Sequence, residues 1–161
     1  MLGVSEIPNP SIYTEDMHMR DMTEKEIRDF IEAWTWGTLT GVDGDKPYAI
    51  EVTYASDGEY IHCGSMPGGR MARCIKKNRN VIFKICNADK SYRSWKAVIV
   101  EGKAERLTKK EDILASIRII AKKMGMKEKQ LDPLAERIAS DPETANSIKI
   151  PIKVIGGRCS S

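Results

Sequence analysis

The sequence predicts a mainly β fold: a small antiparallel barrel of about six strands, with helices set aside from it. Three observations carry this. Apolar residues alternate with period two through 36–65 and 80–86, and again at 95–107 and 148–154. Short turns, Asp43-Gly44-Asp45 and Asp57-Gly58, separate the first runs. Helical periodicity is confined to a stretch opening at Thr23, a short one after Gly69, and an insertion at about 109–145.

Each element follows from its residues. Met1 to Met22 carries Pro8 and Pro10 and no clear period, so an irregular arm is expected there, packed across the body or a partner subunit. Thr23-Glu24-Lys25-Glu26 is a capping box: the threonine hydroxyl takes an N–H of the first turn and the glutamate reaches back. Ile27, Phe30, Ile31 and Trp34 form the apolar stripe of the helix it opens, which ends by Gly37. Gly37–Val42, Pro47–Ala55 and Tyr60–Ser65 make an antiparallel meander, with Tyr48, Ile50, Val52 and Tyr54 on one face of the middle strand. After Gly68-Gly69 a short helix puts Met71, Cys74 and Ile75 inward, and Asn80–Cys86 alternates through Val81, Phe83 and Ile85. Trp95–Leu107 reads as one long strand in which Gly102 marks a bend or bulge, as in a closing barrel. In the insertion, Ile113, Ile117, Ile120 and Ala121 form an apolar face before a C-cap at Gly125. Asp132-Pro133 then starts a shorter helix. The last strand is Ile148–Val154, where Pro151 calls for an edge or a bulge. Residues 23–161 thus form one domain.

The bounds agree. At 161 residues, 41% apolar and 30% charged, the chain suits a single globular domain with a real core. Its net charge of +3 is too small to argue for nucleic acid from the total alone. The four cysteines contain no CxxC pair, and two histidines leave little for a metal site, so no metal is expected. With no basic-then-apolar leader and no apolar run of membrane-spanning length, a cytoplasmic protein with reduced thiols and no membrane partner is expected.

Charge concentrates at one place. Between Glu59 and Asp89 there is no acid, but there are six bases: Arg70, Arg73, Lys76, Lys77, Arg79 and Lys84. A Gly-Gly turn entering a helix offers free N–H groups and the positive end of the helix dipole, so this cluster fits a phosphate. Taken alone, it is read first as a strand-turn-helix with a solvated basic face.

The ordered set narrows the choice. A capped helix precedes Gly37–Val42. Asp43-Gly44 leads to Pro47-Tyr48, and Asp57-Gly58 to a strand ending in Ser65, followed by Pro67-Gly68-Gly69-Arg70 and Asn78-Arg79-Asn80-Val81. Tyr92-Arg93-Ser94-Trp95 then runs into Val98–Ala104. This series resembles the pyridoxamine 5′-phosphate oxidase-like FMN-binding split barrels, most of all their nitroimidazole-resistance branch, over roughly Thr23 to Leu107. The resemblance implies a homodimer holding two FMN molecules in clefts at its interface, acting as a flavin-dependent oxidoreductase on a small electrophile, with NAD(P)H as a candidate electron donor. It places the phosphate at Ser65, Arg70, the amides after Pro67 and Lys77. The flavin ring then lies along Ile50, Glu51, Val52, Thr53 and Tyr54, and His62, Cys63 and Gly64 lie beside it. Trp95 is a candidate to stack near it across the interface. Met71 stands where relatives carry a lysine, and Gly64 where the nitroimidazole-resistance branch commonly has histidine. The small residue at 64 is expected to leave room over the ring for a larger or flatter substrate.

Other assignments are weaker. Glu51 suits a solvent-facing or paired carboxylate better than a general base, and Cys63 a packed, inert thiol. No catalytic acid or base is nominated, since a flavin carries its own redox chemistry. The alternatives are a non-catalytic barrel binding flavin, deazaflavin or haem, and a nucleic-acid-binding barrel. The second is disfavoured because the stretch 70–84 holds only one aromatic, Phe83.

Overall fold

A computed structural model describes residues 18–91, 93–127 and 129–160. Most of the N-terminal arm, residues 1–17, and Tyr92 of the Tyr-Arg-Ser-Trp run lie outside these. Among the described residues there are nine strands and four helices. The strands are β1 (Met19–Asp21), β2 (Trp36–Asp43), β3 (Lys46–Ser56), β4 (Tyr60–Gly64), β5 (Asn80–Ala88), β6 (Trp95–Lys103), β7 (Glu105–Arg106), β8 (Ser147–Pro151) and β9 (Val154–Ser160). The helices are α1 (Glu24–Ala33), α2 (Arg70–Lys77), α3 (Lys110–Lys123) and α4 (Asp132–Ala139). No described helix is long and apolar enough to cross a membrane.

The strands form one antiparallel sheet in the order β1-β9-β6-β5-β2-β3-β4-β8-β7. It curls until β6 approaches β8 without pairing. A Cβ at Gly102 would stand 3.3 Å from Ile150 Cγ2 and 3.5 Å from Pro151 Cδ, so the glycine is what lets the two strands come so close. Inside the curl lie Leu39, Tyr54, Ile61, Phe83, Ile85, Val98, Val100, Ile148 and Ile150, each fully buried. Helix α1 closes one end through Ile27, Phe30 and Ile31, and its capping box forms as read: Glu26 N donates to Thr23 Oγ1 and Thr23 N to Glu26 Oε2. Burial pushes the Tyr54 phenol well above its ordinary value, and its O–H donates to Ile31 O at 2.8 Å, fastening α1 to β3.

The six expected strands are present, and three more accompany them. The run 95–107 is two strands, because the ladder of β6 ends at Lys103 and Ala104 turns its N–H to Arg79 O. The run 148–154 likewise breaks at Ile152-Lys153, and a further strand follows. Gly156 and Gly157 hid β9 from the sequence, yet a Cβ at Gly157 would lie 2.8 Å from Ile27, so the glycine seats α1 on β9. Strand β1, three residues from the supposed arm, pairs with β9. Cys159, two residues from the C-terminal residue, is buried in β9.

Candidate functional site

The sheet is split between β3 and β4. Strand β3 pairs with β2 from Lys46 to Thr53, and with β4 only at Tyr54, Ala55 and Ser56. From Lys46 to Thr53 its other backbone edge therefore has no ladder partner among the described residues. Across the gap lies the turn Pro67-Gly68-Gly69 and the start of α2. The helix is there because Met71, Ala72, Cys74 and Ile75 plug the barrel, leaving Arg70, Arg73, Lys76 and Lys77 outside. Gly68 has φ +66°, which a side chain would resist.

Arg70 bridges the gap. Its Nε donates to Asp43 Oδ2 at 2.8 Å, and its guanidinium lies 4.2 Å from the centre of the Tyr48 ring. The same guanidinium holds the Asp43 carboxyl below the usual carboxylate range, with Lys77 and Arg73 adding to the effect. These cations thus already attract one oxyanion, and the terminal nitrogens of Arg70 keep their donors. Gly69 caps α2 without a side chain, and the amides of Arg70, Met71 and Ala72 make no hydrogen bond among the described residues.

The amides one turn earlier are engaged. Segment 141–146, which joins α4 to β8, lies along the turn like a strap. Ser65 N donates to Asn146 O at 3.1 Å, Gly68 N to Thr144 O at 2.8 Å, and Asn146 Nδ2 to Ser65 Oγ. Gly69 N donates to Met66 O, and Arg73 to Gly68 O. The strap is itself held by Arg106, which donates to the carbonyls of Pro142, Glu143 and Ala145, and by the Lys76–Glu143 ion pair. Of the groups first expected at a phosphate, the amides of Ser65 and Gly68 are thus turned to the strap and Ser65 Oγ accepts from it. Among the described residues the free amides begin at Arg70.

The other expected residues separate into groups. Ile50, Val52 and Thr53 lie on the unpaired stretch of β3, Val52 buried in the core with Ile50 packed against it and Thr53 on the opposite face, and Glu51 is exposed, accepting from Thr38 Oγ1 at 2.6 Å. The Tyr54 side chain is in the core, so only its backbone is near the opening. Met71, 2% exposed, packs on Gly41 and leaves only its amide outside. Cys63 is buried and its thiol is pushed up to about 12 by desolvation, which keeps it protonated. Trp95 pairs with Ala88 at the far end of the β5–β6 hairpin, eight residues or about 26 Å of strand from Lys103 and the α2 side. One chain does not bring it to Arg70.

His62 and Gly64 point away from the gap, toward α3. A Cβ at Gly64 would stand 3.0 Å from Asn146 O, so the missing side chain gives β8 its close approach and not open space over a ring. His62 is buried, with Nε2 2.9 Å from Asp57 Oδ2 and Nδ1 3.1 Å from Ser116 Oγ. A carboxylate only accepts, so Nε2 carries the proton, and in the neutral ring Nδ1 accepts from the serine. Burial raises the Asp57 pKa, but hydrogen bonds from His62 and the amides of Tyr60 and Glu59 outweigh it, and the net shift is downward. Asp57 therefore stabilises the fold fully above its ordinary value of 3.8, and the contribution fades as the pH falls below that. We expect Asp57→Asn to lower the urea midpoint, by a difference that shrinks in acid below this range. A difference constant with pH would refute the assignment.

Comparison with known proteins adds the relatives. The pyridoxamine 5′-phosphate oxidase family model matches residues 23–158. An uncharacterized protein of Rhizobium meliloti (strain 1021) is 32% identical over 91 residues, 56% of this chain and 59% of that protein's length. Among solved structures, an FAD-binding protein from Mesorhizobium loti superposes with TM-score 0.70 at 23% identity, covering 90% of this chain and all of that one. A protein from Bacteroides thetaiotaomicron described for 5-nitroimidazole antibiotic resistance gives TM-score 0.72 at 16% identity, covering 91% and 90%. The FAD and haem binding protein from Mycobacterium smegmatis gives 0.66 at 9% identity, covering 86% and 72%. These likenesses show a shared fold.

Proposed function

Because this chain belongs to the pyridoxamine 5′-phosphate oxidase family, we propose that it is an FMN-dependent oxidoreductase acting on a small electrophile, as a homodimer with cofactor at the interface. The observation that carries this is the gap between the unpaired edge of β3 and the start of α2. A planar ring with a polar rim fits an edge of unpaired backbone groups. A dianion fits the amides of Arg70, Met71 and Ala72 with Arg70 beside them. Arg70 orients the phosphate, and Tyr48 holds Arg70 in place by lying under its guanidinium. Bound flavin would supply hydride transfer at its ring; the chain's own part is to bind, align and exclude water.

The dimer has support on the sheet's outer face. Trp36, Ile82, Ile99 and Val154 are 52%, 41%, 40% and 60% exposed and belong to the adjoining strands β2, β5, β6 and β9. In this dimer Trp95 would have to reach the gap from the partner chain, since one chain alone does not bring it there. That the cofactor is a flavin is consistent with the names of the M. loti and M. smegmatis proteins, which bind FAD.

The test is the visible spectrum of purified protein, as isolated and after adding FMN, with the released cofactor identified by chromatography and the mass by light scattering. Flavin bands from a dimer, and FMN in the extract, are expected. No spectral change with FMN overturns the proposal, a Soret band points to haem, and FAD in the extract replaces FMN. Flavin bleaching by NAD(P)H followed by reoxidation with a nitroaromatic acceptor reports turnover.

A further inference from the structure

We propose that the cleft between the α3–α4 pair and β4 is a second binding site, for a small amphipathic anion with an aromatic or branched apolar body and an N–H or O–H group. The cleft has a volume of about 330 Å³, within the range of small-molecule sites. No residue of β3 or α2 lines it, so it opens on the other side of the 64–67 loop from the gap proposed for the cofactor. Its walls are Ile117 and Ile120 of α3 facing Leu134 and Ile138 of α4, and Leu134 stays 37% exposed at its mouth. An apolar body entering here removes this surface from water.

Two polar features select the ligand's chemistry. Among the described residues Arg137 is the one charged residue on the lining, and no acid lies with it. Among the described residues its guanidinium makes no hydrogen bond or ion pair, whereas Arg118 on the neighbouring helix is forked onto Asp132. A fork left without a partner beside an apolar wall fits a carboxylate or sulfonate. At the inner end stand Ser65 and Asn146. Asn146 is 2% exposed, and its amide oxygen is buried without a hydrogen-bond donor. Native structures rarely leave such an acceptor unpaired, and a ligand N–H or O–H would satisfy it.

The probe that matches is 8-anilinonaphthalene-1-sulfonate, with two apolar ring systems, one N–H and one sulfonate. N-phenyl-1-naphthylamine has the same rings and N–H without the charge. Fluorescence titration of the full chain is expected to give one sulfonate dye bound per chain. Arg137→Gln should weaken that dye about tenfold and leave the neutral dye within about twofold. Ile120→Trp, which fills the cleft, should remove both; circular dichroism checks its fold, and Leu134→Trp at the mouth serves should it unfold. Equal affinity of Arg137→Gln for the sulfonate dye, or undiminished binding of both dyes to the filled variants, overturns the proposal. Displacement of the dye by FMN also overturns it, by merging the cleft with the cofactor site. Failure of the protein to bind FMN leaves the dye titrations of the wild type and the three variants readable, so the two proposals stand or fall apart.

Discussion

Arg70→Ala is expected to weaken FMN binding about 10- to 100-fold, the loss of a charge-assisted contact worth roughly 1.5–3 kcal/mol. Stability should barely change, because the Arg70–Asp43 pair is on the surface, 42% and 40% exposed, where solvent screening leaves such pairs little net effect. The contrast separates a binding residue from a structural one. Asp43→Asn should act in the opposite direction. It releases the guanidinium and removes the negative charge already held among Arg70, Arg73 and Lys77, so FMN should bind several-fold tighter, most clearly at low salt. Quenching of flavin fluorescence measures both variants. An Arg70→Ala protein with unaltered affinity would place the phosphate elsewhere and remove the case for α2.

Phe83→Ala is expected to cost about 3–5 kcal/mol, a large part of the roughly 5–15 kcal/mol that holds a domain folded. Phe83 is fully buried, meets the Tyr54 ring edge-on at 5.0 Å, and sits over Gly37. A Cβ at Gly37 would lie 2.6 Å from Phe83 Cε1 and 2.9 Å from Lys84 O, so Gly37→Ala should itself cost about 1–3 kcal/mol by overpacking. Phe83→Leu withdraws the ring edge but leaves the carbonyl in place. The double variant Gly37→Ala/Phe83→Leu should therefore be more stable than the sum of its singles by at least about 0.5 kcal/mol. Urea unfolding of the four proteins measures this coupling, and simple additivity would mean that ring and glycine do not constrain each other.

The β2–β3–β4 meander, the capped α1 and the inward face of α2 were legible because each is written in local terms: alternation, an Asp-Gly turn, a threonine three residues before a glutamate. Strands β1, β7 and β9 were not. A two-residue strand has no period, and glycines in β9 are explained only by what packs on them, Ile27 and Met22 of a distant segment. The site divides in the same way. Arg70 at the entrance to α2 follows from sequence, but its partners Asp43 and Tyr48 are set by the β2–β3 register. His62 gave no hint of Ser116, more than fifty residues away, and no pattern marks 141–146 as the segment that takes the amides of Ser65 and Gly68. Arg137 was passed over because a charged residue on an exposed helix reads as solvated surface until the neighbouring wall is seen.

Because the chain leaving α4 buckles onto Pro67-Gly68-Gly69 before entering β8, the helical pair is not an ornament that can be exchanged as a cassette. A graft that kept both helices but altered the length of the exit by a single residue would shift Thr144 and Asn146 out of register with Gly68 and Ser65. The entrance to α2 would then lose its brace while every residue lining the β3 edge stayed in place. A change of length should therefore be tolerated far less at the exit of this helical hairpin than along its outer surface.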